Sequence, residues 1–249
     1  MKSNFGQYAE YYDLLNEGKD YSGESKEIQR LIDIHMPLAT SILEYGSGTG
    51  RHGSEFVTLG YNYHGTEISE TMLKIAHDRN IGIEYGDMRD YRAKESYDVA
   101  IALFHVFSYL ISNEDILSSL RTIHNNLAEG GLFIFDTWYG PAVLSEGVET
   151  RIRRAQNIHM DIIRIAESEL EVNSNCAKVT FDIHLRNRKT LRSENFQEDH
   201  FMRYFFIQEI KHFAESTGFE LVSHGSTEGH KKLDCTTWSS LFVLKKVSV

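Results

Sequence analysis

The segment Ile42-Leu43-Glu44-Tyr45-Gly46-Ser47-Gly48-Thr49-Gly50 restricts the fold of this chain more than any other. A short apolar strand runs straight into glycines at every second position, and Arg51 to Leu59 follows as a helix. Glycines so spaced let the backbone turn sharply and approach a ligand, while the helix N-terminus beyond presents free N–H groups. The same grammar then repeats. Tyr61 to Ile68 reads as a strand, Glu70 to Asp78 as a helix with Ser69 at its N-cap, and Ile81 to Tyr85 as a third strand. Tyr97 to His105 is a nearly continuous apolar run, as in a strand buried on both faces. Asn113 to Leu127 follows as a helix ended by Glu129-Gly130-Gly131, and Leu132 to Thr137 is a fifth strand. Such alternation implies right-handed crossovers and an α/β fold with a doubly wound, mostly parallel sheet.

The flanks follow other rules. Residues 1–40 read as a helical arm, with Ile28, Leu31 and Ile32 at helical spacing behind an aromatic stretch holding Tyr8, Tyr11, Tyr12 and Tyr21. From about Thr150 to Arg203 the period drops to two, as in Val179, Phe181, Ile183 and Leu185. Asn173-Ser174-Asn175 and Asn187-Arg188 supply turns there, which predicts an antiparallel β insertion after strand five. Gln208 to Thr217 reads as a helix ended at Gly218, and Phe219 to His224 with Trp238 to Lys245 as a closing hairpin. A chain of 249 residues suits one such core with an embellishment. The expected divisions are an arm over 1–40, a ligand-binding core over 41–149, the insertion over 150–204, and a helix and hairpin over 205–249 that complete the core.

A formal charge of -10, from 36 acidic and 26 basic side chains, argues against a surface for nucleic acid or anionic lipid. Arg151, Arg153 and Arg154 are the local basic cluster and read as a solvated strand edge; a nucleotide-linked ligand would need such cations. Cys176 and Cys235 are too few and too far apart for a disulfide framework or a tetrahedral zinc site, which suits a reducing cytoplasm. The opening MKSNFGQYAEYYD has no apolar signal region, and no apolar run approaches the roughly 20 residues that cross a bilayer, so neither export nor a membrane partner is expected. No HxxH or paired-carboxylate spacing occurs, and no metal is expected.

Three strand ends carry the chemistry. After the glycine turn comes Glu67, 21 residues beyond Gly46, where a carboxylate can accept both hydroxyl hydrogens of a ribose. Asp87-Met88 ends the third strand and suits an adenine, the carboxylate taking the exocyclic amine and the thioether lying under the ring. Together they describe an adenosine site in the crevice of a doubly wound sheet. The dinucleotide fingerprint GxGxxG is matched imperfectly, since Arg51, His52 and Gly53 follow the third glycine.

Through EYGSGTG, GTEIS and YGDMRDY the sequence resembles the class I S-adenosylmethionine-dependent methyltransferases, over nearly its whole length. It is most similar to the N,N-dimethyltransferases of nucleotide-linked amino sugars, through YYDLLNEGKDY, LFHVFSYL, FDTWYGP and EDHFMRYFFIQEI. The resemblance implies a Rossmann-like sheet of seven strands, an N-terminal helical lid and a homodimer. It implies S-adenosylmethionine as cofactor, S-adenosylhomocysteine as product, and a small-molecule acceptor. That acceptor would be an amine or hydroxyl of a nucleotide-linked or polysaccharide-precursor sugar.

Residue by residue, the resemblance places Glu44, Gly46, Gly48 and Gly50 around the methionyl part, Glu67 and Ile68 at the ribose, and Asp87 and Met88 at the adenine. Leu103, Phe104 and His105 would line the site near the sulfonium, and Tyr21 would fold over the cofactor. His105 and Tyr109 are the catalytic candidates, since an amine must arrive neutral or lose a proton early. Tyr12, Asn16, Trp138, Tyr139, His200, Arg203 and Tyr204 are the acceptor-side candidates. Two positions depart from the amino-sugar pattern: Asn16 stands where those enzymes carry Tyr, and Tyr109 where they carry His. Displacement at a sulfonium methyl needs mainly a held nucleophile, and positioning can supply roughly 7 to 11 kcal/mol. Other readings are a methyltransferase of another small amine or acid, an NAD-dependent oxidoreductase, and a non-catalytic cofactor-binding protein.

Overall fold

The computed structural model describes residues 6–247; the outermost residues of the arm and of the C-terminal segment lie outside it. The strand-turn-helix units run β1 Ser41–Tyr45, α3 Arg51–Thr58, β2 Asn62–Glu67, α4 Glu70–Asp78, β3 Ile83–Tyr85, β4 Tyr97–Ala102, α5 Asn113–Asn126 and β5 Leu127–Tyr139. Ser69 caps α4 through its side chain, as its position before the helix predicts. The parallel order is β3-β2-β1-β4-β5. The chain thus winds outward in both directions from β1, and the crevice lies between β1 and β4 at their carboxyl ends. β10 Phe219–Ser226 and β11 Ser239–Lys246 form an antiparallel pair, with β11 hydrogen-bonded along β5.

Both faces of this sheet are buried, which explains the unbroken apolar runs. Successive side chains point to opposite faces. Leu43, Tyr45, Ala100, Phe133 and Phe135 pack toward α5 and toward α7 Ile207–Glu215. Ile42, Val99, Ile101 and Ile134 pack toward α3, α4 and α2 Tyr21–His35.

The arm is helical in pieces. A 3-10 turn over Gln7–Tyr11 leads into α1 Tyr12–Leu15, a break around Gly18, and α2, whose start Asp20 caps by accepting the Gly23 N–H at 2.9 Å. Tyr8 and Leu15 pack with Ile162, Ile183 and Leu185 of the insertion. α6 Gly140–Glu146 was not expected; Pro141 in its first turn has the fixed φ that a helix start accepts.

The insertion is an antiparallel meander of β6 Arg151–Gln156, β7 Met160–Glu171, β8 Cys176–Asn187 and β9 Ser193–Phe205. Seven strands belong to the core and four to the insertion, which is not a separate sheet. Hydrogen bonding runs continuously through eleven strands of the described residues, because β9 pairs in parallel with the end of β5 at Trp138↔Tyr204 and Tyr139↔Phe205. Two boundaries also move. β4 stops at Ala102, because Phe104 and His105 take left-handed φ of 62° and 64°. Glu129-Gly130-Gly131 is a bulged part of β5, not the stop of α5, which ends at Asn126. Among the described residues no helix is long and apolar enough to cross a membrane.

Asn126 pins the end of α5 beneath the sheet. Its amide donates to the Tyr45 hydroxyl at 2.8 Å and the Tyr91 carbonyl at 2.9 Å, and accepts from the Ala93 N–H at 3.0 Å. Replacing it by Ala leaves these buried groups unpaired. Asn126→Ala is expected to cost about 2 kcal/mol in urea unfolding, with an unchanged m-value.

Candidate active site

The carboxyl ends of β1 to β5 and the inner face of the insertion enclose a cavity of about 640 Å³. Its floor is the glycine turn. Gly46, at φ +65°, passes so close to the start of the next segment that a Cβ there would lie 2.5 Å from the Val106 Cγ1. Gly48, at φ +55°, faces open space, with nothing within 4 Å of a would-be Cβ. One glycine is therefore required by packing, and the other leaves room.

Glu67 ends β2 and is 6% exposed. Its Oε2 accepts the Gly48 N–H at 2.9 Å, and its Oε1 accepts the N–H groups of Ile68 and Ser69 at 2.9 and 2.8 Å. Burial pushes this carboxyl up, and the Ser69, Gly48 and Ile68 amides offset only part of that. Three of about four acceptor positions are taken, so gripping a vicinal diol requires one amide to be exchanged for a hydroxyl. Asp87, just past β3, behaves differently. Partial burial would raise it, but the Arg89 guanidinium and amide outweigh that and hold it below the usual carboxylate range.

The left-handed pair Phe104–His105 turns the chain beyond β4 across the cavity. Each such non-glycine residue costs of order 1–3 kcal/mol and persists only where its surroundings fix it. Here Asp136 does so: its Oδ1 accepts the His105 N–H at 3.0 Å. The ring is fixed as well, with Nε2 at 2.8 Å from the Ser239 Oγ and 3.3 Å from the Asp136 Oδ2. A proton on Nε2 satisfies that carboxylate and leaves Nδ1 as the acceptor. Burial lowers the imidazole pKa, with Asp136 opposing, so His105 is neutral at pH 7. Tyr109 is the opposite kind of group. Its hydroxyl lies 2.9 Å from the His200 Nδ1, and burial raises it far above its usual range, so it keeps its proton.

Tyr21 opens α2 beside the glycine turn, its ring against His52 at 4.9 Å and the Arg51 guanidinium at 4.7 Å. Burial pushes its hydroxyl up to about 12. The Lys19 ammonium stands 4.3 Å from the Phe104 ring centroid and pairs with Glu24.

Most of the residues singled out in the sequence meet on this wall: Tyr21, Gly46, Gly48, Glu67, Ile68, Asp87, Met88, Leu103, Phe104, His105 and Tyr109, with Tyr12, Asn16 and Trp138 on the other side. Six do not. Glu44 is fully buried behind the turn, where it accepts the Tyr63 hydroxyl and faces His52. Gly50 backs onto Ile83 and Ala76. Tyr139 and Tyr204 are buried where β5 meets β9. His200 stands behind Tyr109, and Arg203 is occupied by Glu209, Asn113 and the Ile111 carbonyl. Sequence reasoning missed Tyr8, Arg164, Phe181 and Trp238, which line the cavity; Arg151 and Arg153 line it too, and are exposed as a solvated strand edge predicts. Strand alternation carried a signal, since it sets Arg151 and Arg153 on one face of β6 and Arg154 on the other.

Residues 42–131 match the family model described as a methyltransferase domain. The chain is 29% identical over 181 residues to dTDP-3-amino-3,4,6-trideoxy-alpha-D-glucopyranose N,N-dimethyltransferase of Streptomyces venezuelae, covering 71% of this chain and 76% of that one. Residues 42–131 thus carry a methyltransferase domain. The chain's fold is that of the sugar N-methyltransferase KedS8 from Streptoalloteichus sp., with TM-score 0.84 and 18% identity, covering 100% of this chain and 95% of KedS8. It also matches CalS10, an amino pentose methyltransferase from Micromonospora echinaspora solved with S-adenosylmethionine bound, at TM-score 0.76 and 19% identity over 99% of each chain.

The two glycines make separable demands on the chain. Gly46→Ala is expected to lose about 3 kcal/mol, from the left-handed φ together with the overlap on Val106, and Gly48→Ala only about 1 kcal/mol. Parallel urea titrations measure both; equal losses would contradict the packing described.

Proposed function

We propose that the chain is an S-adenosylmethionine-dependent methyltransferase that methylates the amino group of a nucleotide-linked sugar. The observation that carries the reading is one shared cavity: strand ends bearing Glu67 and Asp87 form one side, the β insertion forms the other, and a half-buried neutral histidine stands between them. Its relative from Streptomyces venezuelae, named as acting on a dTDP-linked amino sugar, supports the choice of acceptor.

The residues present fit the cofactor. Glu67 would hold the ribose, giving up one of its amide hydrogen bonds to do so. Asp87 would accept the adenine amine and Met88 would lie against the ring, while the open space over Gly48 admits the methionyl end. Tyr21, Leu103 and Phe104 would close around the methyl-bearing sulfur, with the arm as a lid. S-adenosylmethionine supplies an electrophilic methyl group on a sulfonium. The chain's own residues deliver the nucleophile: His105 Nδ1 takes a proton from the incoming ammonium, and Asp136 and Ser239 hold the ring in the required tautomer. Tyr109, which stays protonated, donates to the acceptor. We place the enzyme in the cytoplasm as a homodimer joined through the outer face of the insertion, where Ile152 and Phe201 are exposed.

Formation of S-adenosylhomocysteine with dTDP-linked amino sugars, against the corresponding hydroxy sugars, tests the reading; turnover only with the hydroxy sugars would refute it. Glu67→Ala is expected to weaken donor binding at least tenfold, about 1.4 kcal/mol, in calorimetric titration. Neutral His105 is the active form, so the rate falls as pH drops through its pKa, which burial places below the ordinary 6.5. His105→Ala should lower kcat about a hundredfold and abolish that acidic limb in the pH–rate profile.

A further inference from the structure

The inner face of the insertion presents three guanidinium groups to the cavity: Arg151 and Arg153 of β6 and Arg164 of β7. Arg153 and Arg164 are directly opposite one another in the β6–β7 ladder. Like charges at such positions destabilise a sheet, because their Cβ atoms are only about 5 Å apart. Five arginines elsewhere pair with carboxylates, among them Arg79 with Asp13, Arg89 with Asp87 and Arg203 with Glu209. Among the described residues none of the three on the insertion has an ion-pair partner, although Glu149 lines the same cavity.

Their contacts are all neutral. Arg153 donates to the Asn16 Oδ1 at 2.6 Å and the Leu15 carbonyl at 3.2 Å, and Arg164 donates to the Tyr8 hydroxyl at 2.8 Å. The Arg164 Nε is buried with no hydrogen-bond acceptor among the described residues. Arg164 lies over the Phe181 ring at 4.6 Å and Arg151 over the Trp238 ring at 5.0 Å. Cation–π contacts of this kind hold a guanidinium in place without cancelling its charge. Three cations with no carboxylate against them, Arg164 half-buried and Arg151 and Arg153 exposed, two of them directly opposed, leave a place for an anion. Guanidinium forks match phosphate oxygens in pairs, and a diphosphate offers enough oxygens for all three.

We propose that Arg151, Arg153 and Arg164 form the subsite for the diphosphate of the acceptor, so that the nucleotide lies along β6 and β7 while the sugar reaches His105 and Tyr109. The inference rests on the function proposed above. The test is calorimetric titration of the enzyme, with and without S-adenosylhomocysteine, by dTDP, inorganic pyrophosphate and thymidine. dTDP is expected to bind at least tenfold more tightly than thymidine, and pyrophosphate to compete with it. Arg153→Gln and Arg164→Gln should each weaken dTDP at least tenfold and leave S-adenosylhomocysteine affinity within twofold. Arg154→Gln, on the outer face of the same strand, should change neither. Equal affinity for thymidine and dTDP in the unaltered enzyme overturns the subsite even if the variants fail to fold, and so does dTDP binding that survives both substitutions. Loss of S-adenosylhomocysteine binding with dTDP binding intact would instead count against the proposed function. Methyl transfer to an amino sugar without any dTDP affinity would remove the subsite and leave the function standing.

Discussion

Everything at the crevice depends on a buried carboxylate that the backbone itself must satisfy. Glu67 is nearly inaccessible, and an unpaired charge there would cost several kcal/mol. The amides of Gly48, Ile68 and Ser69 meet it, which ties the turn after β1 to the end of β2. That link fixes the positive φ of Gly48 and keeps the space above it clear. A site that spends its acceptor positions on its own backbone is preorganised, and its remaining capacity is small. Ligand hydroxyls must therefore substitute for amides one for one, a demand on geometry that few other ligands would meet.

A second constraint decides how the insertion reaches the crevice. The left-handed residues Phe104 and His105 end β4 early, while β5 continues to Tyr139. β11 already occupies one edge of β5 at Trp138, so the edge vacated beyond β4 is the one that β9 fills. Two residue pairs are enough to bring the four-stranded meander over the strand ends. Local backbone strain at the histidine thus has a long-range consequence. The residues that position a candidate base also open the place where the acceptor-side wall attaches, and Asp136, which holds that strained turn, belongs to the same strand that β9 joins.

The part of the site legible in the sequence is the part that depends on local structure. A residue at the end of a buried parallel strand faces the crevice whatever the rest of the chain does, so Glu67, Asp87 and the glycine turn could be placed from strand-turn-helix grammar alone. The insertion was legible as a sheet on the acceptor side, but not which of its faces turns inward. Which face of β6 or β9 points inward depends on pairing between strands distant in sequence, and a one-residue shift inverts it. Tyr204 and Arg203 were thereby expected at the cavity and lie outside it, whereas Arg151 and Arg153, exposed as expected, line it. The early end of β4 was hidden for a related reason. Leu103, Phe104 and His105 continue an apolar run, and only the Asp136 and Ser239 contacts from other strands favour the turn over another stretch of strand.

The overall charge describes the outer surface and not this cavity. A chain at -10 is unfavourable to nucleic acid or anionic lipid at its surface. Salt screens charge beyond a Debye length of about 8 to 10 Å, so acidic residues spread over the outer surface have little effect at the cavity wall. Arg164, half-buried on that wall, meets a lower effective dielectric than any one surface carboxylate does. The two halves of the cavity are consequently of opposite character. Glu67 and Asp87 suit a ligand rich in hydroxyl and amine donors, and the arginines of β6 and β7 suit one rich in phosphate oxygens. Two different small molecules held by opposed electrostatics would meet at the neutral ring of His105, the one titratable group between the halves that burial keeps uncharged and able to accept a proton.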